Sequence, residues 1–286
     1  MMRTQYHYLV AGLPDLLFDD TKLQIDLGEL RKVYAETVVG KDSEIINLFF
    51  YRYDNQNILN RLKDPECAID PRGVLSAELL EQIFAACKEG SFKNDITGVP
   101  AYFDVFLTAW YNDTAVFENK SWELQLSELY YDFAISIENH FIRDWFIFER
   151  DLTNLATASQ CRKHKVNVEN QMSGKGELVD KLMKSNARDF GLDNEFPFLD
   201  QILKALESND LKDFELGIDR VKWDYLDEEV FFYYFTIEKV FSYLTKVAII
   251  ERWLSLDKET GQQLFNELLS NLENSYEFPE EFKSKK

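Results

Sequence analysis

The sequence predicts an all-α protein, and three observations carry that expectation. Glycine (11) and proline (6) are scarce for a chain of 286 residues, so long stretches run without a breaker. Apolar residues recur at steps of three and four over the longest of these stretches, which is the helical period. No segment shows the strict alternation of a half-buried strand. Hydrophobic residues make up 45% and charged residues 29%, a globular profile with enough apolar surface for a sizeable core. Aromatic residues, 15% of the chain, supply large packing units.

In chain order, residues 5–11 form a short apolar start that Gly12 and Pro14 break. A helix is expected from Leu27 to Val38, stopping at Gly40. Asp42 and Ser43 are the expected caps of the next helix, which carries Ile45, Leu48, Phe49, Ile58 and Leu62. It should end near Asp64-Pro65, because a residue before proline avoids helical angles. Pro71-Arg72-Gly73 reads as a turn, and Ser76 as the cap of a helix through Lys88 that ends at Gly90. Gly98-Val99-Pro100 breaks the chain before a helix of about ten residues from Ala101.

The stretch 121–165 lacks Gly and Pro, and its periodicity runs through Phe133, Ile137, Phe141, Trp145 and Phe148 to Leu155. It predicts one helix of about 40 residues, with a break near Asp132 or Ile142 as the alternative. Residues 167–176 read as a loop, followed by helices at 177–189, 197–207 and 210–216, with Glu195-Phe196-Pro197 as a helix entry. A second long helix is expected from Leu226 to Leu254, then an amphipathic one from Asp257 to Asn274, and a fraying tail over 277–286.

The net charge of −19 repels phosphate backbones and anionic lipid, so nucleic acid and direct membrane docking are not expected. Charge is uneven: residues 162–188 hold seven Lys/Arg against three acids, and 189–230 hold thirteen acids against four bases. That pattern reads either as solvated helix faces or as two surfaces for partners of opposite sign. Cys67, Cys87 and Cys161 stand far apart without a C-x-x-C pair, which predicts reduced thiols and a cytoplasmic setting. The N-terminus has no signal-peptide pattern, and no apolar run reaches the roughly 20 residues of a membrane span.

No constellation of nucleophile, base and stabiliser emerges. His7, His140 and His164 are scattered, and Glu138-Asn139-His140 lacks a second ligand at helical spacing. Gly174-Lys175-Gly176 is not a phosphate loop, and Cys161 with His164 lacks a third group. No catalytic, cofactor or metal site is expected.

One phrase is written twice. Asp54-Asn55-Gln56-Asn57-Ile58 and Asp151-Leu152-Thr153-Asn154-Leu155 share D-x-x-N-[I/L], each with an aromatic residue three places earlier (Tyr51, Phe148). On a helix, Asp and Asn at i, i+3 lie on one face, suited to inter-helix hydrogen bonds or to capping a neighbouring helix.

Glu149-Arg150-Asp151-Leu152-Thr153-Asn154-Leu155 resembles the E-x-D-x-x-N-[L/I] helix of the C-type (eukaryotic d-type) central-stalk subunits of V-type and A-type ATP synthases. Tyr53-Asp54-Asn55-Gln56-Asn57-Ile58 is similar to that family's first-lobe helix, and a degraded third copy falls at Glu238. The resemblance implies three related helical lobes in a funnel, at about 1–98, 99–190 and 191–286. It implies a subunit without its own active site, joining the rotor shaft to the membrane proteolipid ring. The motif residues are then Asp54, Asn57, Ile58, Glu149, Asp151, Asn154, Leu155 and Glu238. The alternatives are an unrelated all-α adaptor and an acidic metal-dependent all-α enzyme.

Overall fold

The computed structural model describes residues 4–90, 98–192, 196–208 and 210–275, with backbone alone from 258 onward. Among the described residues the chain forms eleven helices and no strand. They are α1 (His7–Ala11), α2 (Leu27–Thr37), α3 (Lys41–Lys63), α4 (Ala77–Lys88), α5 (Ala101–Tyr111), α6 (Trp122–Ile135), α7 (His140–His164), α8 (Glu177–Lys184), α9 (Leu199–Leu206), α10 (Leu211–Glu229) and α11 (Ile237–Ser275).

The three longest helices, α3, α7 and α11, each follow a shorter one, α2, α6 and α10. The local chemistry of the starts is plain. Asp26 and Glu29 close a capping box on α2, and Ser76, Ser121, Asn139 and Asp210 accept from backbone N–H groups at the starts of α4, α6, α7 and α10. Basic residues fill the last turns of α3 and α7, where exposed carbonyls favour positive charge.

The starts of the three long helices gather at one end of the molecule. Lys41 pairs with Glu138 at 3.0 Å, and the Asn139 side chain donates to Glu238 at 2.9 Å. At the centre, Phe241 of α11 packs edge-on against Phe49 of α3 and Phe146 of α7, with ring centroids 6.3 and 5.9 Å apart. All three rings are fully buried. Helices α2 and α3 lie on α11, α6 bridges α3 and α7, and α10 packs on α7, α9 and α11. One continuous apolar core joins these elements, with a small satellite of Trp223, Ile249 and Ile250 under the 16–23 segment.

Several expected boundaries move. Helix α3 starts one turn early at Gly40, whose φ of +66° glycine tolerates; Asp42 lies inside the first turn, where it accepts from the Tyr6 hydroxyl at 2.6 Å. The 121–165 stretch is two helices, broken at 136–139 between the two expected points. Asn139 takes an extended conformation, and its side chain caps Ile142. The 226–254 helix is likewise two: Leu226 ends up in α10, and α11 begins at Ile237. Helix α10 reaches Glu229 rather than stopping at 216, and α11 absorbs the separate Asp257–Asn274 helix because nothing between them breaks the backbone. Helix α8 ends at Lys184, where Ser185 turns extended, and not at 189. The 197–207 helix begins at Leu199, after Phe198 adopts a left-handed φ of +57°. Glu195 and the 277–286 tail lie outside the described residues. The three cysteines are free thiols.

Candidate functional site

Helix α3 carries Asp54 and Asn57 on one face, beside the fully buried Ile58. The Asp54 carboxylate accepts from the N–H groups of Val74 at 2.7 Å and Leu75 at 3.0 Å. Asn57 grips Asp70 with both ends of its amide. Its Oδ1 accepts from the Asp70 N–H at 2.8 Å, and its Nδ2 donates to the Asp70 carbonyl at 3.0 Å. An amide side chain offers a donor and an acceptor side by side, which an ionised carboxylate cannot. The loop between α3 and α4 is thereby tied to the helix before it.

The tie continues into α11. Arg72 pairs with the Asp70 carboxylate at 2.6 Å, lies 4.3 Å over the Tyr53 ring and reaches Glu251 at 2.8 Å. Glu251 also accepts from the Leu27 N–H that opens α2, at 2.9 Å. Gly73 sits against the Asp54 carboxylate, where an added Cβ would lie 2.4 Å from Oδ1. That approach explains the glycine, since Asp54 cannot retreat without releasing two backbone donors.

Helix α7 repeats the grip. Asn154 donates from Nδ2 to the Ser173 carbonyl at 2.8 Å, and its Oδ1 accepts from the Ser173 N–H at 2.9 Å. Leu155 is fully buried beside it, as Ile58 is beside Asn57. The loop between α7 and α8 is thus held as the loop after α3 is. Asp151 departs from its counterpart. It is half-buried and pairs with Arg150 at 2.9 Å, while the Arg150 guanidinium lies over Gly174, a glycine at φ +78°. Glu149 is buried and faces Arg52 of α3 at 3.7 Å, with Lys222 of α10 at 4.0 Å.

Glu238 is buried at the start of α11; it receives Asn139 and so joins the starts of α7 and α11. The ring packing suggests a different register for the third helix. Phe49 and Phe146 each stand five residues ahead of a motif Asp, and Phe241 meets both. In that register the Asp and Asn places of α11 are held by Lys246 and Ile249. Lys246 pairs with Asp227, and Ile249 joins the Trp223 satellite, so both polar anchors of the motif are replaced.

Electrostatically the site is strained in one place. Burial pushes the Asp54 carboxyl up to about 6, against the pull of the Leu75 and Val74 N–H donors and the Arg31 charge. Asp151 is also raised by burial, with Arg150 opposing. For Arg52, burial works against the charge, and the nearby Glu149 carboxylate together with Tyr130, Tyr53 and Tyr131 outweighs it. A half-open cleft of about 220 Å³ lies beside this pair, lined by Asn55, Gln56, Tyr130 and Tyr131 as well.

Among the described residues, no group of three His, Cys, Asp or Glu side chains is placed to hold a metal ion. Cys161 is buried and His164 exposed. His140 is exposed too, bonded to Arg143 of the same helix at 2.6 Å. Much of the basic 162–188 segment is engaged within the fold. Arg162 donates to the Ser185 and Ala187 carbonyls at 2.7 Å and stacks on Phe190, and Lys163 donates to Ser208 at 3.1 Å.

The sequence pointed to the gripping residues and missed what they grip. To Asn57, Asn154 and Asp54 the residues Asp70, Ser173, Val74 and Leu75 offer only backbone atoms, so no side-chain pattern signals these grips. Gly73, beside Pro71 and Arg72, was the one readable hint of a close approach.

A family model described as "Protein of unknown function (DUF2764)" matches residues 2–276. No curated protein and no solved structure matches the chain. With nearly its whole length covered, the chain belongs to the DUF2764 family.

Proposed function

We propose that this chain is a non-catalytic central-stalk subunit of a V-type rotary ATPase or ATP synthase, joining the rotor shaft to the membrane proteolipid ring. The observation that carries the reading is the repeated grip: Asn57 on Asp70 and Asn154 on Ser173, at matching places in α3 and α7. It gives a common physical role to the two motif copies that resemble the stalk family. The three lobes of the proposal, near 1–98, 99–190 and 191–286, would each contribute one long helix, α3, α7 and α11.

A torque-bearing part needs stiffness, and loops tied to the helices before them supply it, as does the shared aromatic core. The net charge of −19 favours basic protein surfaces over nucleic acid. No described helix is long and apolar enough to cross a membrane, so membrane association in this proposal runs through partner subunits on the cytoplasmic side. The chain would work without a cofactor.

An affinity-tagged chain, purified from its native cell after mild cross-linking, should bring down shaft and ring subunits. Purified alone, it should not hydrolyse ATP. Recovery of partners with no ATPase subunit among them would overturn the proposal and favour an unrelated helical adaptor.

A further inference from the structure

The connection between α10 and α11 presents Phe231, Phe232 and Tyr234 to solvent, with 66%, 80% and 66% of their surfaces exposed. Exposed aromatic residues in a row are unusual on a protein surface and mark contact sites. This segment is held firmly. Val230 and Ile237 are buried on either side, and the Tyr233 ring packs against Phe141 at 5.5 Å. The Phe235 carbonyl accepts from the Tyr6 N–H at 2.6 Å, and the Phe235 ring lies 4.4 Å from the His7 ring.

Through His7 the patch continues into a groove between α1 and α2 of about 530 Å³, lined by Leu9, Leu13, Ile25 and Val33 among others. Tyr8, 97% exposed, stands on its rim. On the other side, Glu228 and Glu229 are exposed at the end of α10, and neither has an ion-pair partner among the described residues. Partial burial and the nearby Glu228 and Asp144 charges push the Glu229 carboxyl up, so the acids there repel one another.

We propose that this aromatic tip and groove form a docking surface for a cationic, amphipathic segment of another protein, its apolar residues meeting Phe231, Phe232 and Tyr234 and its Lys or Arg side chains meeting Glu228 and Glu229. The charge pattern selects this occupant. A second copy of the chain would bring two acidic clusters together on a molecule already at −19. An anionic lipid surface would be repelled by the same acids. A basic partner relieves their repulsion and gains cation–π contact with the rings, and an apolar groove suits the apolar face of a helix. The inference goes beyond the stalk reading, because it holds whether or not the partner belongs to a rotary motor.

The test uses the full chain and fluorescence anisotropy with a labelled synthetic helix of Leu and Lys, against a Leu and Glu helix of the same length. The Leu–Lys helix should bind and the Leu–Glu helix should not. Phe231→Ser with Phe232→Ser leaves the net charge unchanged and should weaken binding about tenfold, the loss of one or two apolar anchors. Glu228→Lys with Glu229→Lys should weaken it at least as much. Glu66→Lys, beyond the far end of α3, should leave it unaltered. Circular dichroism melts confirm that each variant folds.

Unchanged affinity in the Phe231/Phe232 variant would overturn the proposal, leaving only diffuse attraction to an acidic protein. So would equal binding of the Leu–Glu helix, or flotation with phosphatidylserine vesicles that the Phe231/Phe232 variant abolishes. Self-association seen by ultracentrifugation and lost in that variant would assign the patch to a second copy instead.

Discussion

Arg52 and Glu149 face each other at 3.7 Å across α3 and α7, and each stands two residues ahead of the Asp of its own motif copy. Matching positions of a repeated phrase thus meet in space and carry opposite charges. Glu149 is almost wholly buried and Arg52 about one third exposed, so part of the attraction is screened by solvent. Removing one partner strands the other, which is where most of the cost of breaking such pairs arises. Glu149→Gln should therefore destabilise the fold by about 1–3 kcal/mol. Arg52→Met combined with Glu149→Leu should recover part of that loss. Urea unfolding of both singles and the double would give the coupling; strictly additive losses would show that the two charges do not communicate.

The asparagine grips make a sharper prediction. Asn57→Ala and Asn154→Ala each leave a backbone N–H and a carbonyl without their partners, at Asp70 and at Ser173. Each should cost about 2–4 kcal/mol. Asn57→Asp should fare no better at neutral pH, since a carboxylate accepts from the N–H but cannot donate to the carbonyl. Amide hydrogen exchange locates the effect: Asp70 and its neighbours should lose protection in the Asn57 variants and Ser173 in Asn154→Ala. Loss spread evenly over the chain would mean that the grips are not local.

These contacts show what the sequence could and could not disclose. Breakers with fixed dihedral preferences were readable, so the end of α3 before Pro65, the Ser76 cap of α4 and the start of α5 after Pro100 fall where expected. The break between α6 and α7 contains neither Gly nor Pro. It depends on Asn139, whose side chain caps α7 and simultaneously reaches Glu238, a contact 99 residues away that no local pattern encodes. Between α10 and α11 the aromatic run 231–235 kept the apolar character going while Phe231, Phe232 and Tyr234 turned outward. The repeated phrase was legible because it is made of side chains. Its partners were not, because they are main chain.

Asp54 gives stability a pH dependence of a definite sign. Its carboxyl titrates near 6 in the fold, raised by burial from 3.8. Between these values the folded state holds a proton that the unfolded chain has released, so this group's contribution falls as pH rises through that window. Below about 3.8 both states are protonated and the penalty vanishes; above about 6 it is complete, on the order of 2–3 kcal/mol. Its neighbours Arg31 and Asp70 act in opposite directions and partly offset each other. A carbon-13 NMR titration of the Asp54 carboxyl should show a midpoint near 6. A midpoint below 4 would mean that the Val74 and Leu75 donors outweigh burial.

Gly73 tests the same contact from the loop side. A methyl group there meets Asp54 Oδ1 at 2.4 Å, and Asp54 is fixed by two backbone donors. Either the loop lifts and both bonds break, or the carboxylate turns away and loses them. Gly73→Ala should cost about 2–4 kcal/mol by chemical denaturation. With Asp54→Ala already present the obstruction is gone, and the further cost of Gly73→Ala should be under about 1 kcal/mol. Full additivity would place the problem in the backbone rather than against Asp54.

Phe241 is the contact through which α11 meets both motif helices. Its ring is fully buried and packs edge-on on Phe49 and Phe146, so truncation opens a cavity where three helices converge and neighbours on rigid helices cannot collapse into it. Phe241→Ala should cost about 3–5 kcal/mol. Phe241→Leu keeps much of the volume but not the ring geometry, and should cost about 1–2 kcal/mol. If Phe49, Phe146 and Phe241 hold equivalent places, the Ala variants at all three should destabilise to a similar extent. Each pair including Phe241 should also be less than additive, since the second truncation enlarges an existing cavity. A mild loss at Phe241 beside severe losses at the other two would show that α11 merely covers a pair formed by α3 and α7, and would remove it from the register that assigns Lys246 and Ile249 to the motif places.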